Sequence, residues 1–142
     1  AYEGTGTTGR VERNLLVAAV FGVFVRDAAS PAVERNTIVG SGDCGIVSDA
    51  SAPTLARNII VGSANWGIAC FLVPQPTSSC NALFNNVNGN FNAGACAGST
   101  DIHADPMFCD LTTYTLLPGS PCAQANAGAC GQMGAGNVCA GP

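Results

Sequence analysis

Chemistry in this chain would have to come from nine carboxylates, five arginines, one histidine and eight cysteines, since lysine is absent. Arg13, Arg35 and Arg57 recur at one constant interval, with Glu12 and Glu34 beside the first two. Like charges stacked closely repel unless carboxylates or an anionic ligand neutralise them. The trio therefore reads as a surface Arg–Glu network that an acidic polysaccharide could occupy. Asp27 and Asp49 keep the same spacing and should stack. A calcium ion between them would want about six to eight oxygens, and Phe71 holds the next place in that column. A turn role beside Pro31 and Pro53 is the better reading. Asp101, His103 and Asp105 could offer metal ligands, but Asp105 before Pro106 reads as a turn organiser. Asp43 stands alone in its glycine-rich turn, where hydrolysis would need a second carboxyl group. Trp66, the only tryptophan, could stack on a sugar or fill a corner. No catalytic residue, metal or cofactor is assigned.

The cysteines speak to compartment. Their number is even, Cys-x-x-Cys is absent and only one histidine is available, so disulfides in an oxidising, secreted or cell-surface setting are expected. All eight are candidates: Cys44, Cys70, Cys80, Cys96, Cys109, Cys122, Cys130 and Cys139. Cys70 and Cys80 flank a loop and are expected to close it. Cys122, Cys130 and Cys139 are expected to pin the C-terminal region, with Cys96 or Cys109. The net charge of −4 and pI near 4.5 argue against a nucleic-acid partner. The longest apolar run, residues 15–25, is too short for a membrane-spanning helix of about 20 residues. The first residues lack a leader pattern, so the chain reads as a mature form or a fragment.

The elements that must position these groups follow from a repeat. Val11-Glu12-Arg13-Asn14-Leu15-Leu16-Val17 aligns with Val33-Glu34-Arg35-Asn36-Thr37-Ile38-Val39 and with Leu55-Ala56-Arg57-Asn58-Ile59-Ile60-Val61. The step between copies is the same each time, about 22 residues, within the range of solenoid units. Gly22-Val23-Phe24-Val25 joins Gly45-Ile46-Val47 and Gly67-Ile68-Ala69 after a one-residue slip. A looser fourth copy, Leu83-Phe84-Asn85-Asn86-Val87, matches the segment from Leu55 but lies farther on than one repeat. Residues 73–79 are expected to take up the excess as a bulging loop. The units hold short β-branched runs cut by Asn, Gly and Pro, too short for amphipathic helices. Three short strands per turn make an all-β, parallel β-helix of about four coils, stacked about 4.8 Å apart. Asn14, Asn36 and Asn58 should then form a hydrogen-bonded ladder at a corner, where asparagine tolerates left-handed angles. The whole of 1–142 reads as one domain: an N-terminal segment 1–10, coils over 11–94, and an irregular disulfide-stapled cap over 95–142 that covers the last open edge.

The pattern V-x-R-N-x-I-V-G followed by G-I-V resembles right-handed parallel β-helix repeat proteins of the pectate-lyase-like superfamily. Asp105-Pro106-Met107-Phe108, Ser120-Pro121-Cys122 and Cys130-Gly131 with Met133-Gly134-Ala135 resemble the closing segment of bacterial secreted β-helix repeat proteins. The resemblance implies a right-handed coil and secretion. Pectin hydrolases of this superfamily carry paired aspartates, Gly-His-Gly and Arg-Ile-Lys, and none of these occurs here. The expected role is a non-catalytic extracellular module for structure or recognition, forming the C-terminal part of a larger protein. A polysaccharide lyase, hydrolase or epimerase, or a self-assembling structural protein joined through the N-terminal coil edge, are the alternatives. Arg13, Arg35, Arg57 and Trp66 are the candidate ligand contacts.

Overall fold

The computed structural model describes residues 8–140. Twelve short strands lie in three parallel four-stranded sheets. The first sheet stacks β1 (Arg10–Glu12), β4 (Ala32–Glu34), β7 (Thr54–Ala56) and β10 (Thr77–Ser79). The second stacks β2 (Leu15–Val17), β5 (Thr37–Val39), β8 (Ile59–Val61) and β11 (Ala82–Phe84). The third stacks β3 (Val23–Arg26), β6 (Ile46–Asp49), β9 (Trp66–Phe71) and β12 (Gly89–Phe91). Each coil contributes one strand to each sheet, so every strand pairs with its counterpart in the neighbouring coil. Alternation along each strand sends one aliphatic row inward. Val33 and Leu55 face Ile38, Ile60 and Leu83, and Ile46 and Ile68 complete the interior, all fully buried.

The three corners differ in kind. The first always takes two residues, from Arg13-Asn14 to Cys80-Asn81. Its left-handed residue is the one before asparagine: Arg13, Arg35, Arg57 and Cys80 have φ of 57°, 53°, 57° and 58°. The asparagine instead turns its amide inward, which corrects the expectation that it would hold the left-handed angle. The second corner places Ala18, Gly40, Gly62 and Asn85 at positive φ. The third takes four or five residues, with Ala50 and Leu72 left-handed.

Two register expectations fail. Leu83 pairs with Ile60, and Ser78 pairs with Leu55, the residue that Leu83 was expected to continue. Residues 77–79 are therefore strand β10, and the third corner is longer by a single residue. The error arose because Asn85-Asn86 lies at the second corner, which also carries amides, while the true fourth rung is Asn81. Asp27 and Asp49 do not stack either. The one-residue slip puts Arg26 against Asp49, and Asp49 against Phe71.

The C-terminal region does two jobs. The short 3-10 turn Gly94–Cys96 buries Cys96 against the core, and Ile102 bridges to Ala82 as a partial fifth coil. Later residues run back along the outside of the second sheet. Gly134 N–H donates to Arg57 O (2.8 Å) and Ala135 N–H to Thr37 Oγ1 (2.8 Å). Leu116, Cys122 and Met133 bury the outward-facing Ile59 and Ala82. Cys70 pairs with Cys96, Cys80 with Cys130, and Cys109 with Cys139. The expected Cys70–Cys80 loop closure is thus overturned, because Cys70 lies within β9 and points into the core beside Cys96, while Cys80 at the first corner packs with the returning C-terminal segment. Cys44 and Cys122 are free, buried thiols, so not all eight cysteines form staples.

Candidate functional site

The asparagine column runs the length of the coils with one direction. Asn14 donates from N and Nδ2 to Asn36 Oδ1 (3.0 and 3.1 Å), and Asn36 donates in the same way to Asn58 Oδ1 (3.0 and 3.0 Å). Asn58 continues to Asn81 Oδ1 (3.0 and 2.9 Å). Asn81 ends on Asp101 Oδ1 (2.9 and 3.0 Å), a group that only accepts. The second oxygen of Asp101 takes Ser78 Oγ (2.6 Å) and Gly98 N–H (2.7 Å). At the other end, nothing among the described residues donates to Asn14 Oδ1. There the first coil exposes a cavity of about 540 Å³ lined by Val11, Leu16, Phe21 and Val23 among others. The expected cover from residues 1–10 falls largely outside the described residues.

The arginine column is aligned but not uniform. Arg13 lies 3.9 Å from Glu12, and Arg10 lies 3.7 Å from Glu12 and 3.9 Å from Glu34. Arg57 Nε donates to Cys130 O (2.6 Å), so the folded-back segment occupies it. Arg35 Nε is buried with no partner among the described residues. Burial, reinforced by Arg13 and Arg57 and opposed by Glu12, lowers its pKa. The remaining candidates separate. His103 Nδ1 meets Asn90 Nδ2 (2.6 Å), Asp101 closes the ladder, and Asp105 Oδ1 accepts Met107 N–H (2.8 Å). Among the described residues no group of three His, Cys, Asp or Glu side chains could hold a metal ion.

A different constellation lies on the outer face of the third sheet. Register aligns Phe24, Val47 and Ala69 as a floor, with Arg26, Asp49 and Phe71 along one side. The other side is a polar row at the second corner. Asn65 Nδ2 donates to Asp43 Oδ1 (2.9 Å), and Asn88 Nδ2 donates to Asn65 Oδ1 (2.5 Å). Phe21 meets Phe24 edge-on at 5.3 Å. Between these rows lies a trough of about 280 Å³ crossing three coils. Cys44 lies in its lining, where burial pushes the thiol up to about 11 and keeps it protonated at neutral pH. Trp66, partly buried, packs against the cluster of Cys44, Val47 and Ala69, and its ring takes the space a side chain at Gly89 would need. Sequence reading missed this trough because its members do not repeat: equivalent positions carry Arg26, Asp49 and Phe71. The one usable signal was three phenylalanines at strand or corner positions of a single sheet.

Among the described residues no helix is long and apolar enough to cross a membrane. A family model described as "Right handed beta helix region" matches residues 4–106. No curated protein and no solved structure matches the chain.

Proposed function

The chain belongs to the right-handed β-helix family, and from that membership we propose that it is a non-catalytic, extracellular module for structure or recognition that closes a longer β-helical stack at its C-terminal side. The direction of the asparagine ladder carries this reading. Every rung gives its backbone N–H and an Nδ2 bond to the next rung toward the C-terminal coil, while Asn36, Asn58 and Asn81 also donate from Nδ2 to a carbonyl of the preceding coil, and Asp101 receives the last pair without passing any on. Among the described residues nothing donates to the Asn14 acceptor, and a preceding rung would supply the matching donors. Two head-on copies would set acceptor against acceptor, and the far end of a second copy is already occupied by Asp101 and Ile102. Three disulfides suit an oxidising compartment. Four carboxylates, those of Asp43, Asp101, Asp105 and Asp110, are engaged in structural hydrogen bonds. Asp101 ends the ladder, Asp105 and Asp110 hold turns, and Asp43 binds Asn65.

The test inserts a second copy of residues 32–53 between Gly9 and Arg10. The added coil should raise the melting temperature in one cooperative transition and leave the protein monomeric by light scattering. Asn14→Ala, mild in the present chain, should then cost as much as Asn36→Ala. An inserted coil that proteases remove as fast as an unfolded tail sinks the reading. Concentration-dependent dimers of the unextended chain, lost on extension, would replace it with self-association.

A further inference from the structure

We propose that the Cys80–Cys130 disulfide is a redox latch, whose cleavage by an external dithiol frees the C-terminal flank from the second sheet and leaves the coils standing. The latch does not depend on the terminal-module reading. The flank is a body of its own. Cys109–Cys139 staples its two arms, Met133 N–H donates to Cys122 O (2.9 Å), and Cys139 N–H donates to Leu116 O (2.8 Å). The coils hold their own last residues as firmly. Ile102 N–H donates to Asn81 O (2.8 Å), Leu83 N–H donates to Ile102 O (2.9 Å), and His103 meets Asn90. Ala104-Asp105-Pro106 links the two bodies. Across their seam run the disulfide, the two Arg57 bonds, the Thr37 bond to Ala135, and the packing of Leu116, Cys122 and Met133 on Ile59 and Ala82. A cleft of about 420 Å³ lies along that seam, with Thr100 and Ile102 on the coil side and Pro121, Ala127, Cys130 and Met133 on the flank. A small thiol can enter it and reach Cys130.

Burial and charge single out this disulfide from the other two. Cys70 and Cys96 are 5% and 1% exposed in the coil core, out of reach while the coils stand. Cys80–Cys130 and Cys109–Cys139 are both half-buried, and charge separates them. Arg57 stands one rung from Cys80 in the first-corner column, and its Nε donates to Cys130 O. A neighbouring cation favours the thiolate that departs when a disulfide is attacked. Cys109 instead precedes Asp110, whose carboxylate opposes a thiolate beside it. Reduction therefore starts at Cys80–Cys130. The attacking thiolate bonds to one sulfur, and the other sulfur leaves as a thiolate and takes a proton. The second thiol of the reductant then displaces the protein from the mixed disulfide. The dithiol ends as a disulfide and the protein gains two thiols. Cys122 does not compete while the flank is seated. It is buried in the cluster with Ile59 and Ala82, and burial pushes its thiol up to about 11, so it stays protonated. Release of the flank parts that cluster and bares Cys122. Cys44, packed with Val47 and Ala69 on the third sheet, stays covered.

The experiment treats the native protein with dithiothreitol at pH 8, quenches samples with iodoacetamide and maps the labelled cysteines by peptide mass. Cys80 and Cys130 should be labelled first and together, with Cys122 following in the same molecules. Cys44, Cys70 and Cys96 should stay unlabelled, and amide exchange in β6 and β9 should stay slow. The Cys80→Ser, Cys130→Ser double variant should expose Cys122 to iodoacetamide with no reductant added. Arg57→Gln should slow the first cleavage several-fold, and Arg57→Lys, which keeps the charge, should restore it. If Arg57 served only to clasp the flank, its loss would speed cleavage instead. Faster cleavage in Arg57→Gln therefore overturns the proposal. So does reduction of Cys109–Cys139 before Cys80–Cys130, or of Cys70–Cys96 in the same step. A Cys122 that remains shielded after Cys80 and Cys130 are labelled overturns it as well. The coil-insertion experiment is run without reductant, so failure here leaves the terminal-module reading standing, and failure there leaves the latch standing.

Discussion

Asn58 shows how much one side chain does. It receives two donors from Asn36, gives two to Asn81, and donates from Nδ2 to Val33 O (2.9 Å), all buried. Asn58→Ala strands the Val33 carbonyl and both Asn36 donors together, and each unmet buried group costs about 1–3 kcal/mol. Urea unfolding should record a loss of about 3 kcal/mol or more. Asn14→Ala, at the exposed end, should lose about 1 kcal/mol. The two free thiols give a pH signature. Burial pushes both Cys44 and Cys122 from an ordinary 9.0 up to about 11. The folded state thus favours the protonated thiol more than the unfolded state does. Its contribution is intact below about pH 9 and is lost as pH climbs toward 11. A Cys44→Ala, Cys122→Ala double variant should show a shallower alkaline decline in melting temperature. Iodoacetamide should label neither thiol in the native protein at pH 8, and both on unfolding without reductant.

Among the elements, the corners carry the stored cost. Ala18 has φ of 58° in the column that holds Gly40 and Gly62, and a left-handed residue with a Cβ costs roughly 1–2 kcal/mol. Ala18→Gly should raise stability by about 0.5–1 kcal/mol in denaturant titrations, the gain being offset by a freer unfolded chain. Gly45 has the opposite constraint. A Cβ there would overlap Ile60 Cγ2 and lie 2.7 Å from Gly67 O. Gly45→Ala should destabilise by about 1–3 kcal/mol through overpacking. The coil was legible in the sequence because Arg-Asn, Gly and Pro return at one interval and only stacking makes that spacing useful. The fourth rung, Asn81, was not, since Cys80 replaces the arginine before it, nor was the end of the ladder, where Asp101 stands in place of asparagine. The trough was hidden for the same reason. Its lining differs from coil to coil, and a search for likeness passes over such differences. Ile59 was a clue left unread: adjacent apolar residues at 59 and 60 cannot both face inward, so one needed a cover.

At the scale of the molecule, that cover is the C-terminal segment. Cys80–Cys130 ties it to the fourth coil across 50 residues of sequence. Arg57 and Thr37 hold it further up. Replacing both cysteines by serine should cost about 4 kcal/mol in the chain-entropy account. Hydrogen exchange should quicken at Met133, Gly134 and Ala135 before it changes in β5 and β6. Loss of protection throughout the coils at once would mean that the flank and the stack unfold as a unit. The unequal corners have a consequence for engineering. The two-residue corner admits no change of length, because the ladder is threaded through it. The third corner already absorbs an extra residue between Phe71 and Thr77 while all three sheets stay paired. Leu72 and Val73 there are 72% and 78% exposed. A foreign epitope or an affinity tag spliced at that place should be displayed at the surface without disturbing the stack, and the same site on successive coils would set such grafts in a row at the spacing of the strands.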